Sequence, residues 1–219
     1  MARYQPHDKF FHRARARGLP SRAAFKLEEL LARYRLLPPD ARVVDLGCAP
    51  GGWLAVLHAA LDGRGRIVGV DRVSCAAPGP HVIIIAGDLR AGEVQAAVMD
   101  ALGDRADLIT SDLAPKLSGI RERDQAQSRE LIEASLALAA RALRPGGAML
   151  AKVFMGAEFP EVRRLFAVHF SRIDVVRTRA SRPGSAELYL IARGFRGAGP
   201  EVAAASPSAA MATRSQRDD

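Results

Sequence analysis

The chain has 219 residues, 48% of them hydrophobic and 26% charged, with a formal net charge of +8. That length supports one domain with a full core, in the composition range of soluble globular proteins. No apolar run approaches the roughly 18 residues of a membrane span. The N-terminal MARYQPHDKF has no signal-peptide core, and the two cysteines, Cys48 and Cys75, form no CxxC pair. These features exclude a membrane-spanning protein, a disulfide-framed domain and a cysteine-based zinc centre, and fit a reducing cytoplasm. The histidines, at 7, 12, 58, 81 and 169, have no metal spacing, so no metal is expected.

The charge is uneven. Residues 1–36 carry nine Lys/Arg against Asp8, Glu28 and Glu29, a net of +6. Such a segment suits a polyanion such as nucleic acid, or is a solvated basic arm. In chain order, 1–18 reads as that arm, with its R-A-R-A-R run. Residues 19–35 read as a basic helix. Ser21 is a candidate N-cap, Ala24, Leu27, Leu30 and Leu31 recur at helical spacing, and Pro38-Pro39 stops it. Strands are expected at 41–47, 66–71, 81–88, 107–112, 147–154, 172–178 and 187–193. Helices are expected at 53–61, 92–102, 124–143 and 158–168. This alternation predicts an α/β fold with a doubly wound, mostly parallel seven-stranded sheet. The domain is expected to span 19–196, followed by an Ala/Ser-rich disordered tail at 197–219.

Ligands of such sheets bind outside the carboxyl ends of the strands. The residues expected there are Asp45-Leu46-Gly47, Asp71, Gly87-Asp88, Ser111-Asp112 and, near the end of strand five, Lys152. Asp is common at helix N-caps, so one acidic strand end is unremarkable. Four Asp and one Lys on one rim predict a binding site. The loop DLGCAPGGW (45–53) supplies glycines for close backbone approach, but not the Gly-x-Gly-x-x-Gly dinucleotide spacing. Asp71 lies 24 residues after Gly47, where a ribose-binding acid belongs. Trp53 lines a pocket or packs on the sheet. Lys152, in the apolar run GAMLAKVF, is the least expected residue, because an unpaired buried ammonium costs several kcal/mol.

SRAAFKLEEL (21–30), DLGCAPGGW (45–53), SDLAPKLSG (111–119), AKVF (151–154) and SRPGSAELYLIA (181–192) together resemble the ribosomal RNA large subunit methyltransferase E family. The similarity covers roughly residues 10–194. The chain departs from the family pattern at Lys116 and at Arg177-Thr178. The resemblance implies a Rossmann-like, S-adenosylmethionine-dependent methyltransferase with a helix at 19–35 and a core at 41–194. It implies a catalytic Lys-Asp-Lys-Glu tetrad of Lys26, Asp112, Lys152 and Glu187. Gly47, Gly51, Trp53, Asp71, Asp88, Leu89 and Asp112 would contact the cofactor. The implied substrate is the ribose 2′-hydroxyl of a uridine in 23S rRNA of the large ribosomal subunit. Arg13, Arg15, Arg17, Arg22, Arg33 and Arg35 are candidate grips for RNA phosphates.

Methyl transfer to a sugar hydroxyl needs alignment and a proton acceptor. Lys152 is the candidate base. Burial and a second cation favour its neutral form; Asp112 and Glu187 favour the ammonium, which would instead stabilise a developing alkoxide. Three other readings compete: a non-catalytic RNA-binding assembly factor, a nicotinamide-dependent oxidoreductase, and a 2′-O-methyltransferase of tRNA or caps. The complete tetrad disfavours the first and the loop spacing the second. A monomer is expected.

Overall fold

Three short runs rich in β-branched residues, RVVDL, RIVGVD and VIIIA, form β1 (Arg42–Leu46), β2 (Arg66–Asp71) and β3 (Val82–Ala86). The computed structural model describes residues 12, 16–115, 118–182 and 184–197. Most of the expected arm, with Arg13 and Arg15, Lys116, and the expected tail beyond Gly197 lie outside these. The remaining strands are β4 (Ala106–Ser111), β5 (Leu143–Phe154), β6 (Phe170–Val176) and β7 (Glu187–Phe195). The helices are α1 (Ala24–Tyr34), α2 (Gly52–Leu61), α3 (Gly92–Leu102), α4 (Arg121–Ala142) and α5 (Phe159–His169). All seven strands form one sheet in the order β3-β2-β1-β4-β5-β7-β6. The first five are parallel; β7 runs antiparallel to both β5 and β6.

Side chains alternate between sheet faces with a period of two, and two core layers follow. Val44, Leu46, Ile109, Met149, Ala151 and Val153 pack under α3, α4 and α5. Val43, Ile67, Leu108, Leu150, Tyr189 and Ile191 pack under α1 and α2. Central parallel strands covered on both faces must be apolar on both. The same parity puts Asp45, Thr110, Lys152 and Glu187 on the α1–α2 face, at its rim. α1 is there because Ala24, Leu27 and Leu30 form one fully buried stripe.

Several boundaries shift from the expected ones. Ser21 does not cap α1. Ala23 is the N-cap, without a side-chain bond, because residues 21–23 already form a turn whose carbonyls accept from Ala24 and Phe25. α4 begins at Arg121, three residues early, since Asp124 gathers the preceding loop. Its carboxylate accepts from the Ser118 N–H and hydroxyl, both at 2.7 Å, and from the Gly119 N–H at 3.2 Å. The Arg144-Pro145-Gly146-Gly147 stop is a bulge within β5. Ala106 pairs with Leu143 and Leu108 with Ala148, so the extra residues loop out between them.

Phe166 is fully buried on the α5 face, 6.1 Å from Phe170 between ring centroids. Phe166→Ala is expected to destabilise the fold by about 3–5 kcal/mol in denaturant titration. A loss below about 1 kcal/mol would show that this layer is not the core.

Candidate active site

The strand order reverses between β1 and β4, so their carboxyl ends splay apart and open a crevice. The loops leaving these strands touch. A Cβ at Gly47 would lie 3.0 Å from the Leu113 backbone nitrogen, and Gly47 has φ +77°, so only glycine fits. Gly51, at φ +101°, is the left-handed N-cap of α2. Asp71 ties this loop down: its carboxylate accepts from the Ala49 and Val73 N–H groups, each at 3.0 Å.

Asp45, one of the four aspartates expected on the rim, lies deeper than the others expected to contact the cofactor. It is fully buried, Oδ1 accepts from the Thr110 hydroxyl at 2.7 Å, and Oδ2 has no hydrogen-bond partner among the described residues. Burial pushes its carboxyl up to about 8, helped by the nearby charges of Asp112 and Asp71. Its signal in the sequence was the acid of the D-x-G turn. Acidic groups gathered at Asp45, Asp71 and Asp112 suit a cationic ligand, whose charge would favour ionising Asp45, and S-adenosylmethionine carries both a sulfonium and an ammonium.

Asp88 is held by arginines. Oδ2 accepts from Arg72 at 2.5 Å and Arg90 at 2.7 Å, and Oδ1 from the Arg90 N–H and Nε, both at 3.0 Å. Arg90 above all, then Arg72, keeps its carboxyl well below the ordinary range. Leu89 is buried in the core beneath α3. Trp53 is buried too: Nε1 donates to the Ala23 carbonyl at 3.0 Å, and the ring packs against Tyr189. It pins α1 to α2.

The four tetrad residues come together at the rim as two ion pairs. Lys26 Nζ lies 2.7 Å from Glu187 Oε2, and Lys152 Nζ 3.1 Å from Asp112 Oδ1. Both lysine side chains are about nine-tenths buried, exposed 10% and 9%. Lys152 also donates to the Asp112 backbone carbonyl at 2.7 Å. Glu187 accepts from the Ser181 hydroxyl at 2.9 Å, which pairs with Thr178 at 3.0 Å. Burial pushes the Glu187 carboxyl up, but Lys26, Ser181 and Lys152 outweigh it and hold it below its ordinary value.

Tyr189, absent from the expected site, is its floor. It pairs across strands with Lys152, carries Lys26 5.9 Å above its ring, and donates from its hydroxyl to Asp112 Oδ1 at 3.4 Å. Burial keeps its phenol protonated far above the usual range. Its position two residues after Glu187 was the available signal, since period-two spacing shares a face.

The arginines nearby differ in commitment. Arg17 forms a double bond pattern with Glu28 at 2.9 and 3.0 Å, and Arg22 donates to the Ala180 carbonyl at 2.5 Å. Arg33 and Arg35 are exposed on α1 and its C-cap. Arg177, Arg179 and Arg182, three arginines in six residues, flank Ser181 beside the tetrad and were also missed. Cys48 and Cys75 are free thiols 3.9 Å apart.

The Asp45 carboxyl holds its proton to about pH 8 in the fold but would release it near pH 4 when unfolded. Its contribution to stability is therefore full below pH 4 and is lost as pH rises toward 8. Cofactor-free Asp45→Asn, uncharged and isosteric, is expected to lose less thermal stability between pH 5 and 8 than the unsubstituted protein. Parallel melting-temperature curves would contradict this.

The FtsJ-like methyltransferase family matches residues 19–195. The ribosomal RNA large subunit methyltransferase E of Anaeromyxobacter dehalogenans is 41% identical over 210 residues, covering 95% of this chain and 78% of that protein. The protein of the same name from Acidithiobacillus ferrooxidans is 43% identical over 194 residues, 89% of this chain and 88% of its own. A solved structure described as a ribosomal RNA methyltransferase of Plasmodium falciparum superposes with a TM-score of 0.73 at 25% identity, covering 81% of this chain and 99% of that one. No helix of the described residues is long and apolar enough to cross a membrane. The sheet order, the rim and these matches span the same residues: the chain belongs to the FtsJ-like methyltransferase family.

Proposed function

We propose that this protein transfers a methyl group from S-adenosylmethionine to the ribose 2′-hydroxyl of a uridine in 23S rRNA of the large ribosomal subunit. The observation that carries the reading is the seat of Lys152, hydrogen-bonded to the Asp112 carbonyl and 3.1 Å from its carboxylate, beside the Lys26–Glu187 pair. The names of the similar proteins support the RNA substrate.

Gly47, Gly51, Asp71, Asp88, Leu89, Asp112 and Trp53 would hold the cofactor, with Asp45 beneath them. Bound there, S-adenosylmethionine supplies an electrophilic methyl on a cationic sulfur. The chain's own task is to align a poor nucleophile and take its proton. A neutral lysine has two N–H bonds and one lone pair. Lys152 donates to the Asp112 carbonyl and lies 3.1 Å from its carboxylate; acting as the base, it would turn its lone pair to the ribose hydroxyl. Lys26, held 2.7 Å from Glu187, would donate to the ribose oxygens. Tyr189 keeps Asp112 oriented.

Lys152→Ala is expected to lower kcat by about 100- to 10,000-fold on large ribosomal subunits, with cofactor affinity little changed. Lys152→Arg keeps the charge but cannot release its proton, and should be as inactive as alanine. An active arginine variant would show that Lys152 acts as a cation. Arg17, Arg22, Arg33 and Arg35, with Arg13 and Arg15, would grip phosphates, and Arg179, whose side chain is 88% exposed, would join them. Arg179→Glu should weaken RNA binding and reduce the slope of log affinity against log salt by about one. An unchanged slope in a binding titration would remove Arg179 from the interface.

A further inference from the structure

A cavity of about 600 Å³ opens at the rim beyond the tetrad, between the N-terminal ends of α4 and α5. Its walls continue directly from three tetrad members. Ala114 and Pro115 follow Asp112, Val153 to Met155 follow Lys152, and Ser185 and Ala186 precede Glu187. A strand advances about 3.3 Å per residue, so these walls begin within roughly 7 Å of the groups that would meet the ribose. Phe154 shares a face with Lys152 and pairs across strands with Glu187. Its ring carries Lys152 Nζ 6.0 Å from its centroid, lines the cavity and remains 39% exposed.

The lining chemistry selects the occupant. Asp124 and Glu158 both line the cavity, so the negative phosphate backbone is disfavoured. Arg129, the cation present, is paired to Glu133 at 2.8 Å. What remains is an aromatic and apolar surface with the amide of Gln125 and the hydroxyl of Ser128. A flat neutral group with polar edges fits that description: a nucleobase. Asp124 also braces the wall at 118–119 through its bonds to Ser118 and Gly119.

We infer that this cavity receives the base of the nucleotide being methylated, turned out of its stack, against Phe154 and within reach of Gln125 and Ser128. The inference rests on the proposed RNA 2′-O-methylation and adds where the acceptor base sits. Two substitutions test it. Phe154→Ala removes the aromatic surface. Gly156→Phe fills the cavity from the rim, where a Cβ would meet only the Gln125 Nε2, at 3.6 Å. Both are assayed, with Phe154→Trp, on large ribosomal subunits from cells lacking this enzyme, at saturating cofactor.

Phe154→Ala and Gly156→Phe should each lose about 10- to 100-fold in kcat/KM, the usual range for a base–aromatic stack. Phe154→Trp should stay within about three-fold. Cofactor affinity by calorimetry should stay within about two-fold in all three, which reports an intact fold. The pH dependence of the Phe154→Ala rate should match that of the unsubstituted enzyme. A displaced profile would trace the loss to Lys152 and overturn the inference. Unchanged kcat/KM in Phe154→Ala and Gly156→Phe would overturn it while leaving the proposed reaction standing. An unsubstituted enzyme that leaves the subunits unmethylated would overturn both.

Discussion

The site depends on one feature of the sheet: β7 runs backwards. In a parallel strand the first residue lies at the far end of the sheet from the ligand rim. Glu187 opens β7, and it reaches the rim only because β7 is antiparallel to β5. The register then does the rest. Lys152 faces Tyr189, Phe154 faces Glu187, and the alternation of the pleat puts all four on the face covered by α1. A slip of one residue would turn Glu187 and Tyr189 toward α4 and α5, leaving Lys26 without its carboxylate and Asp112 without the Tyr189 hydroxyl. The apolar alternation of Leu188, Leu190 and Ala192 into the opposite core layer opposes that slip.

α1 completes the arrangement from outside the sheet. Lys26 interrupts a stripe of buried residues, Ala24, Phe25, Leu27 and Leu30, and is itself buried. Removing one partner of a buried ion pair strands the other, at a cost of roughly 3–5 kcal/mol. Glu187 therefore locks α1 to the sheet rim as well as positioning Lys26. The Trp53 bond to the Ala23 carbonyl fixes the same end of the helix. The docking of α1 brings Lys26 to Glu187, beside the Lys152–Asp112 pair that the sheet assembles on its own.

Much of this was legible in the sequence, for definable reasons. Strand ends could be read because apolar runs stop at Asp45, Asp71 and Asp112. Their convergence followed from the rule that ligands sit at the carboxyl ends of parallel strands. Lys152 stood out because nothing else in its strand was polar. What stayed hidden were partnerships across long sequence separation. The Arg72–Asp88–Arg90 clamp, the Ser181–Glu187 bond and the Trp53–Tyr189 packing depend on tertiary placement rather than local pattern. Nothing local separates Tyr189 from an ordinary β-strand aromatic. The early start of α4 was missed because its signal is a side chain inside the helix bonding to the loop before it.

The charges of the rim explain why the lysines come with two carboxylates. In the proposed reaction, with Lys152 acting as the base, Lys26, Asp112 and Glu187 would present a net charge of −1 to the cationic methyl donor. In the proposed transfer Lys152 would take the hydroxyl proton as the methyl donor gives up its positive charge. That positive charge would reappear on Lys152, which lies 3.1 Å from the Asp112 carboxylate. A fixed anion would then stand where the new cation forms, and little would need to reorganise as the charge shifts. Tyr189 contributes by remaining a protonated phenol: it donates to Asp112 without adding a charge that would compete for the lysine.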